Sequence, residues 1–236
     1  MQKKLLVAII SAIFITAQGS QTYAEEVYDP LEDVNRAITA FNTGVDTVFF
    51  RPLAKGYTYI TPDFIEKGIS NFFANLFYPT TIINQTLQGN LTLAGQDTAR
   101  FILNTTLGIG GLFDVASAGS DDLKAHKEDF GQTLGAWGLG NGPYFVIPIW
   151  GPSTLRDGAG TIAGSYTNPI LYINDDEWRH GLLGLSILNS RVDFFKKEEL
   201  ISGDEYLFVR DAYIQHRKFL INNGQAEEND PFLDGE

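Results

Sequence analysis

Cysteine is absent from this 236-residue sequence, and histidine occurs only three times. The absence of cysteine excludes disulfides, thiolate metal ligands, a cysteine nucleophile and a lipid attached to an N-terminal cysteine. None of the histidines, His126, His180 and His216, lies in a Gly-x-Ser-x-Gly or a His-Glu-x-x-His motif. The sequence therefore predicts no catalytic residues, no metal site and no cofactor, as expected of a protein that is not an enzyme.

Positive charge is also scarce. The chain carries 17 Lys and Arg against 29 Asp and Glu, which gives a formal net charge of −12. Nucleic acid and anionic lipid surfaces are poor partners for such a chain, so we expect no nucleic-acid partner. If the protein contacts a membrane, apolar side chains must provide most of the attraction.

Long hydrophobic runs are missing except at the N-terminus. Lys3 and Lys4 precede the apolar stretch 5–17, and small residues up to Ala24 precede Glu25. This order predicts a signal peptide over residues 1–24 for Sec-type export. A retained membrane anchor is the alternative, but the apolar stretch is shorter than the ~20 residues that a spanning helix needs. Removing residues 1–24, which contain two lysines and no acids, would change the net charge to −14.

Strand-like alternation is too short to predict a sheet, whereas apolar residues recur at spacings of three and four. The fold class is therefore predicted to be mainly α, in one domain over residues 25–224 with a short, acidic, mobile tail at 225–236. Asp29 and Pro30 predict the start of the first helix, and Arg51-Pro52 predicts its end. Pro79 is expected to break a second helix that begins at Asp63, and residues 80–87 are expected to resume it at an angle. Further helices are predicted at 91–107, 154–166, 178–195 and 204–222.

The second predicted helix has an aromatic stripe with two interpretations. Its apolar residues share one helical face, and most such faces pack against a protein core. Three phenylalanines with few cations nearby also suit a helix that lies in one membrane leaflet. The residues are Ile65, Ile69, Phe72, Phe73, Leu76 and Phe77.

The stretch 100–160 combines many glycines with an uncharged run, Pro143–Trp150. Two prolines make this run a poor long helix and a poor central strand, so we expect an irregular segment that is covered by protein or contacts lipid. The glycines at 138–142 lack the preceding strand and the lysine of a phosphate-binding loop. Arg156 beside Asp157, and Asp97 near Arg100, are candidate buried or channel-facing ion pairs, with exposed surface pairs as the alternative.

Several blocks, taken together and in order, resemble the MlaA/VacJ family of outer-membrane lipoproteins, which maintain lipid asymmetry in Gram-negative bacteria. The resemblance extends over residues 29–224 and is more specific than any single motif. The blocks are DPLEDVNRAITAFN, ISNFFANLFYPTTIINQTLQG, RFILNTTLGIGGLFDVA, DFGQTLGAWGLGNGPYFVIPIWGPSTLRDGAG and YLFVRDAYIQHRKFLINNG.

The resemblance implies a ring-like, single-domain assembly of amphipathic helices in the periplasm-facing leaflet of the outer membrane. A central polar channel would let mislocalised phospholipids leave the outer leaflet and reach a soluble periplasmic carrier. The implied partners are phospholipid, that carrier and a trimeric porin of the outer membrane. No bond is broken in this function.

The resemblance also suggests roles for particular residues. Channel or gating positions are expected at Phe41, Asn42, Arg156 and Asp157. The aromatic stripe would form the membrane-facing belt, and a movable loop near the channel would contain Pro143, Tyr144, Phe145 and Trp150.

One departure from the family concerns anchoring. Family members usually carry a lipid-modified cysteine at the start of the mature chain, and this sequence has none. Embedding and a porin partner would then have to hold the protein, since one acyl chain alone gives only marginal binding. A partly soluble periplasmic or surface-exposed form stays open. Two other functions also stay open: a structural or host-interaction surface protein, and a lipid hydrolase.

Overall fold

The structure, a computed structural model, describes residues 27–195 and 203–224. Within these ranges the chain is mainly helical, which confirms the predicted fold class. The helices are α1 (Glu32–Val45), α2 (Arg51–Ile60), α3 (Asp63–Leu87), α4 (Leu91–Thr106), α5 (Val115–Gly119), α6 (Phe130–Ala136), α7 (Leu155–Ser165), α8 (Asp176–Phe195) and α9 (Glu205–Ile221). The predicted signal peptide and acidic tail lie outside the described residues.

Helix α1 begins later than predicted, because Asp29 does not cap it. Leu31 occupies the cap position without a side-chain hydrogen bond. The Asp29 carboxylate instead accepts hydrogen bonds from the Asn35 amide at 2.9 Å and from the Tyr206 hydroxyl. Asp29 therefore ties the start of the described chain to α9.

The prediction that Arg51-Pro52 ends the first helix is wrong. A π-helical turn, Asp46–Phe50, leads directly from α1 into α2, and Pro52 lies in the first turn of α2. Proline is tolerated there because it directly follows the π turn, where the regular α-helical hydrogen-bond pattern is already interrupted.

Pro79 does not break the second helix, since α3 continues through it to Leu87. Side-chain hydrogen bonds to α4 lie on the N-terminal side of Pro79: Asn75 to Thr105 at 2.9 Å and Tyr78 to Asp97 at 3.2 Å. On its C-terminal side, Asn84 and Thr133 of α6 are hydrogen-bonded at 2.7 Å. Contacts of this kind on both sides compensate for the backbone hydrogen bond that proline removes.

The uncharged run forms the first strand and the tip of a short hairpin where an irregular segment was expected. Strands β1 (Tyr144–Ile147) and β2 (Gly151–Thr154) pair antiparallel, with Tyr144 opposite Thr154. Proline is tolerated in a two-stranded ribbon because each strand has an unpaired edge. The side chains of Tyr144 and Val146 join Tyr206 and Ile214 of α9 in a small hydrophobic cluster. The hairpin is thus fixed to the molecule by strand β1.

Within the described ranges, no helix is long and apolar enough to cross a membrane. Short 3₁₀ turns at Asp121–Leu123 and Pro169–Tyr172 connect the later helices.

Candidate functional site: a polar interior inside an apolar surface

The polarity of the molecule is inverted relative to a typical globular protein. Among the described residues, more polar or charged side chains than hydrophobic ones are buried. Many large hydrophobic side chains are exposed, and they occur on almost every long helix. Examples are Val48, Phe49, Tyr59, Phe64, Ile162, Tyr172 and Trp178. Extended apolar exposure of this kind indicates a surface that contacts lipid or another protein.

An ion cluster lies where helices α6, α7 and α9 meet. The guanidinium of Arg217 bridges two carboxylates, donating to Asp129 at 2.6 and 2.9 Å and to Asp157 at 2.8 Å. Arg156 donates to Asp157 at 2.9 and 3.0 Å, and the Tyr213 hydroxyl donates to the second Asp157 oxygen at 2.7 Å. Two cations therefore face two anions, and the cluster is neutral. Arg156 and Asp157 are buried, so the alternative of an exposed surface pair is excluded.

Both carboxylates of this cluster stay ionised. Burial raises the pKa of Asp129, but the hydrogen bonds and charge of Arg217 outweigh it and hold that pKa at about 2. Burial opposes ionisation of Asp157 as well, yet Arg217, Tyr213 and Arg156 together lower its pKa. The cluster is therefore a permanent set of charge-assisted hydrogen bonds at neutral pH.

Helix ends position this cluster. The Asp129 side chain caps α6 by accepting from the Gln132 N–H at 2.9 Å, and Thr154 caps α7 by accepting from the Asp157 N–H at 3.2 Å. The two helices meet at glycines, because a Cβ on Gly160 would lie 2.3 Å from the backbone nitrogen of Gly131. The helix predicted at 154–166 therefore starts one residue too early, because Thr154 is its cap and Leu155 its first residue.

A second polar cluster lies between α3, α4 and the segment 114–128. Asp97 is fully buried, and its Oδ1 accepts from the Tyr78 hydroxyl at 3.2 Å and lies 2.9 Å from His126 Nδ1. Arg100 donates to Asp114 at 2.6 Å. Asp97 and Arg100 are therefore not paired with each other. The sequence does not indicate the contact of His126 with Asp97, because only the fold brings these residues together.

Two asparagines of α1, seven residues apart, bind the backbone of the hairpin. Asn35 donates to the Tyr144 carbonyl at 3.3 Å and accepts from the Val146 N–H at 2.9 Å. Asn42 donates to the Ile147 carbonyl at 3.1 Å and accepts from the Ile149 N–H at 2.7 Å. We call Asn35 and Asn42 the asparagine clamp. Seven residues are about two helical turns, so both amides face the same strand.

The hairpin tip is apolar and conformationally strained. Ile149 has φ of +70°, which is unfavourable for a β-branched residue. Trp150 beside it is 75% exposed. Of the four predicted loop residues, only Trp150 lies in the tip, residues 148–150. Tyr144 is buried in β1, Phe145 is half-buried in β1, and Pro143 is half-buried directly before β1.

The remaining predicted positions are divided between surface and interior. Phe41 is 54% exposed, and Ile65 is 42% exposed at the start of α3. Phe73 is buried and stacks with Phe77 at a ring-centroid distance of 6.3 Å. The other members of the stripe, Ile69, Phe72 and Leu76, are half-buried. The stripe thus borders the surface and also packs inside the molecule.

Comparison with known proteins gives the following matches. The family model described as MlaA lipoprotein matches residues 27–220. An uncharacterized protein of Rickettsia bellii is 40% identical over 197 residues, which cover 82% of this chain and 76% of that protein. The intermembrane phospholipid transport system lipoprotein MlaA of Escherichia coli is 34% identical over 224 residues, covering 93% and 89% of the two chains. The Haemophilus influenzae protein of the same name is 32% identical over 234 residues, covering 96% and 94%.

A solved structure also matches the fold. It has a TM-score of 0.73 and 35% identity, and the match covers 82% of this chain and 99% of the other. That structure is described as the structural basis for maintenance of bacterial outer membrane lipid asymmetry.

Proposed function

Because this chain belongs to the MlaA lipoprotein family, we propose that it is a component of an intermembrane phospholipid transport system. Its role in this proposal is to remove mislocalised phospholipids from the outer leaflet of the outer membrane. It passes them to a soluble periplasmic carrier, and it sits in the periplasm-facing leaflet beside a trimeric porin. No chemical bond is made or broken.

The inverted polarity is the observation that carries the proposal. A phospholipid that crosses a protein needs polar groups for its head group and apolar contact for its tails, because an unpaired charge in hydrocarbon costs several kcal/mol. In this proposal the head group follows the polar interior between α3, α4, α6 and α7, and the tails contact the exposed hydrophobic residues. An apolar exterior also supports membrane binding by an acidic chain.

Within this proposal the ion cluster braces the wall of the lipid path. Arg156 and Asp157 already have close partners, so their charges hold α6, α7 and α9 together behind the path. Asn42 controls the position of the hairpin tip, and Phe41 and Trp150 provide apolar surface beside it. The exposed part of the aromatic stripe contacts the acyl chains of the leaflet.

Anchoring in this proposal relies on non-covalent contact. The sequence offers no cysteine for a lipid, so the exposed apolar surface and the porin together replace the lipid anchor. Apolar contact over several helices suits this role, since each buried methylene contributes about 0.8 kcal/mol.

The decisive experiment measures phospholipid on the cell surface. The gene is deleted and restored in its own host, and outer-leaflet phospholipid is measured by its accessibility to an added phospholipase. We expect accumulation in the deletion strain and normal levels after restoration. Unchanged surface phospholipid in the deletion strain would refute the proposal.

A second experiment tests transfer directly. Protein purified in mild detergent is analysed by mass spectrometry for bound phospholipid and is then mixed with the periplasmic carrier. Phospholipid should be found on the protein first and on the carrier afterwards. A protein that carries no phospholipid would support the structural or host-interaction alternative instead.

A further inference from the structure

An apolar groove of about 620 Å³ runs along α1 beside the hairpin tip. Its walls are the exposed side of α1 and Pro148 of the tip. The lining residues on α1 are spaced at three and four, as expected for one helical face. They are Asp33, Val34, Ala37, Ile38 and Phe41.

The chemistry of the walls restricts what the groove can hold. Every lining side chain except Asp33 is apolar, so an occupant must be held mainly by hydrophobic contact. The volume lies within the range of about 300–1,000 Å³ that is typical of small-ligand sites. The groove is open to the surface along α1, which suits an elongated ligand.

The asparagine clamp argues against a peptide strand as the occupant. A peptide that adds to a sheet edge binds through free backbone N–H and C=O groups. On β1 and at the tip, the N–H groups of Val146 and Ile149 and the carbonyls of Tyr144 and Ile147 are already bound by the clamp. The groove therefore offers apolar walls without these backbone partners.

We propose that this groove is a binding site for one acyl chain of a zwitterionic phospholipid. This inference rests on the proposed function and adds a site outside the polar interior. Asp33, the one charged residue among those that line the groove, is exposed at its wall. Its carboxylate attracts the ammonium of a zwitterionic head group and repels an anionic head group.

The site also couples lipid binding to the hairpin. Pro148 forms one wall, and the Asn42 amide holds the backbone on either side of it through Ile147 and Ile149. The Asn42 hydrogen bonds therefore fix the position of Pro148 and, with it, this wall of the groove. An acyl chain in the groove stabilises this position of the tip.

Photo-labelling of the full-length protein tests the inference. The protein is placed in vesicles that contain phosphatidylethanolamine with a diazirine on one acyl chain, irradiated, digested and analysed by mass spectrometry. We expect labels on the α1 peptide that contains residues 34–41. Ala37→Trp, which fills the groove, should reduce that labelling at least about fivefold by removing apolar contact area.

Ala40 supplies a matched control. It is an exposed alanine on the same helix, but it does not line the groove. Ala40→Trp should therefore keep the wild-type labelling of this peptide. Equal loss of labelling in both variants would overturn the assignment, because the effect would then not depend on the groove.

The outcomes separate this site from the proposed function. Labels elsewhere on the protein but none on residues 34–41 would overturn the groove site and leave phospholipid transport standing. If no part of the protein were labelled, the result would count against the groove site and against phospholipid transport. If wild-type protein were dimeric and Ala37→Trp monomeric, with lipid labelling unchanged, a second copy of the chain would be the occupant and the inference would fail.

The head-group preference has its own test. Phosphatidylglycerol with the same diazirine chain should label residues 34–41 less than phosphatidylethanolamine does, and Asp33→Asn should remove the difference. Equal labelling by the two lipids in the wild-type protein would overturn the proposed preference for a zwitterionic lipid.

Discussion

At the residue scale, Arg217 links all three helices that meet at the ion cluster. It is buried and binds Asp129 at the start of α6 and Asp157 at the start of α7 from its own position on α9. A planar guanidinium can serve two carboxylates at once, and an ammonium cannot reproduce this geometry. Three helices thus depend on one side chain.

Replacing Arg217 should destabilise the fold strongly. Arg217→Ala leaves Asp157 buried with one charged partner fewer, and we expect the free energy of unfolding to fall by about 3 kcal/mol. Arg217→Lys should lose less, since it keeps the charge. Lys124→Ala, which removes an exposed pair with Asp121, should have little effect. Unfolding in detergent micelles measures the stability of all three variants. Equal stability of the Arg217→Ala and Lys124→Ala variants would contradict this account.

The buried carboxyl group of Glu128 should make the folded protein more stable in mild acid. Burial raises its pKa above the ordinary 4.5, although a hydrogen bond from Gln88 opposes the shift. The folded state therefore binds this proton before the unfolded state does, and stability should rise as the pH falls toward 4.5. Asp129 has the opposite sign: its stabilising contribution is complete above 3.8 and is lost as the pH falls toward about 2.

The Glu128→Gln variant separates the two effects. It should unfold at a higher temperature than the wild type at about pH 7 and lose this gain as the pH falls toward 4.5, while the decline caused by Asp129 at lower pH persists. Glu177→Gln, at an exposed position in the first turn of α8, is the control and should follow the wild-type curve. Thermal unfolding in detergent micelles over this pH range provides the measurement.

Individual site residues were only partly predictable. Asn42 and the Arg156–Asp157 pair were expected to be important because their sequence blocks resemble a known family. Nothing in the sequence indicated a role for Asn35 or His126. Their partners, Tyr144 and Asp97, are 109 and 29 residues away, and only the folded chain brings them into contact.

At the element scale, the crossing of α6 and α7 depends on glycine. A Cβ on Gly160 would meet the Gly131 backbone at 2.3 and 2.7 Å, and backbone atoms cannot move aside as a flexible side chain can. Gly160→Ala should therefore reduce the free energy of unfolding by about 2 kcal/mol or more, despite the better helix propensity of alanine.

Gly181 in α8 is the matched control for this substitution. A Cβ there would meet no atom within 4 Å. Gly181→Ala should stabilise the protein by up to about 1 kcal/mol. Both variants add the same methyl group to a helix, and they differ only in the room available for it. If both destabilised the protein in one unfolding assay, the close-packing explanation would be refuted.

Substitutions in the asparagine clamp should loosen the hairpin tip to different degrees. Asn42→Ala removes both hydrogen bonds to the tip, whereas Asn42→Asp keeps an acceptor for the Ile149 N–H and loses the donor to the Ile147 carbonyl. Hydrogen exchange at residues 147–151 should be fastest in Asn42→Ala and intermediate in Asn42→Asp. Asn71→Ala removes a side-chain hydrogen bond to Leu112 and should leave exchange at the tip unchanged.

The helices were more predictable than their interruptions. Apolar spacing located the long helices to within a few residues, because a helix with one buried face must repeat that spacing. The effects of Pro52 and Pro79 could not be deduced, since a π turn and tertiary contacts decide whether a helix tolerates proline. The hairpin was missed because each strand has only four residues.

At the scale of the whole molecule, apolar exposure and negative charge predict how the protein binds membranes. Binding to vesicles of a zwitterionic lipid should change less than about twofold between about 0.05 and 0.5 M salt, since screening does not weaken hydrophobic contact. Phe64 is an exposed hydrophobic residue. Phe64→Lys should reduce the fraction of protein that is bound to vesicles, and Phe64→Leu should preserve it. Vesicle flotation measures both, and release of the protein by salt would contradict an apolar mode of attachment.

The inverted polarity also shapes how this sequence can change over evolutionary time. In most globular proteins the interior accepts exchanges among hydrophobic residues, and the surface accepts exchanges among polar ones. Here a buried position such as Asn84 or Asp97 has fixed hydrogen-bond partners, so few other side chains can replace it. An exposed position such as Ile162 needs only to stay apolar. Mutational drift should therefore be freest among hydrophobic residues on the outside and most restricted among polar residues within.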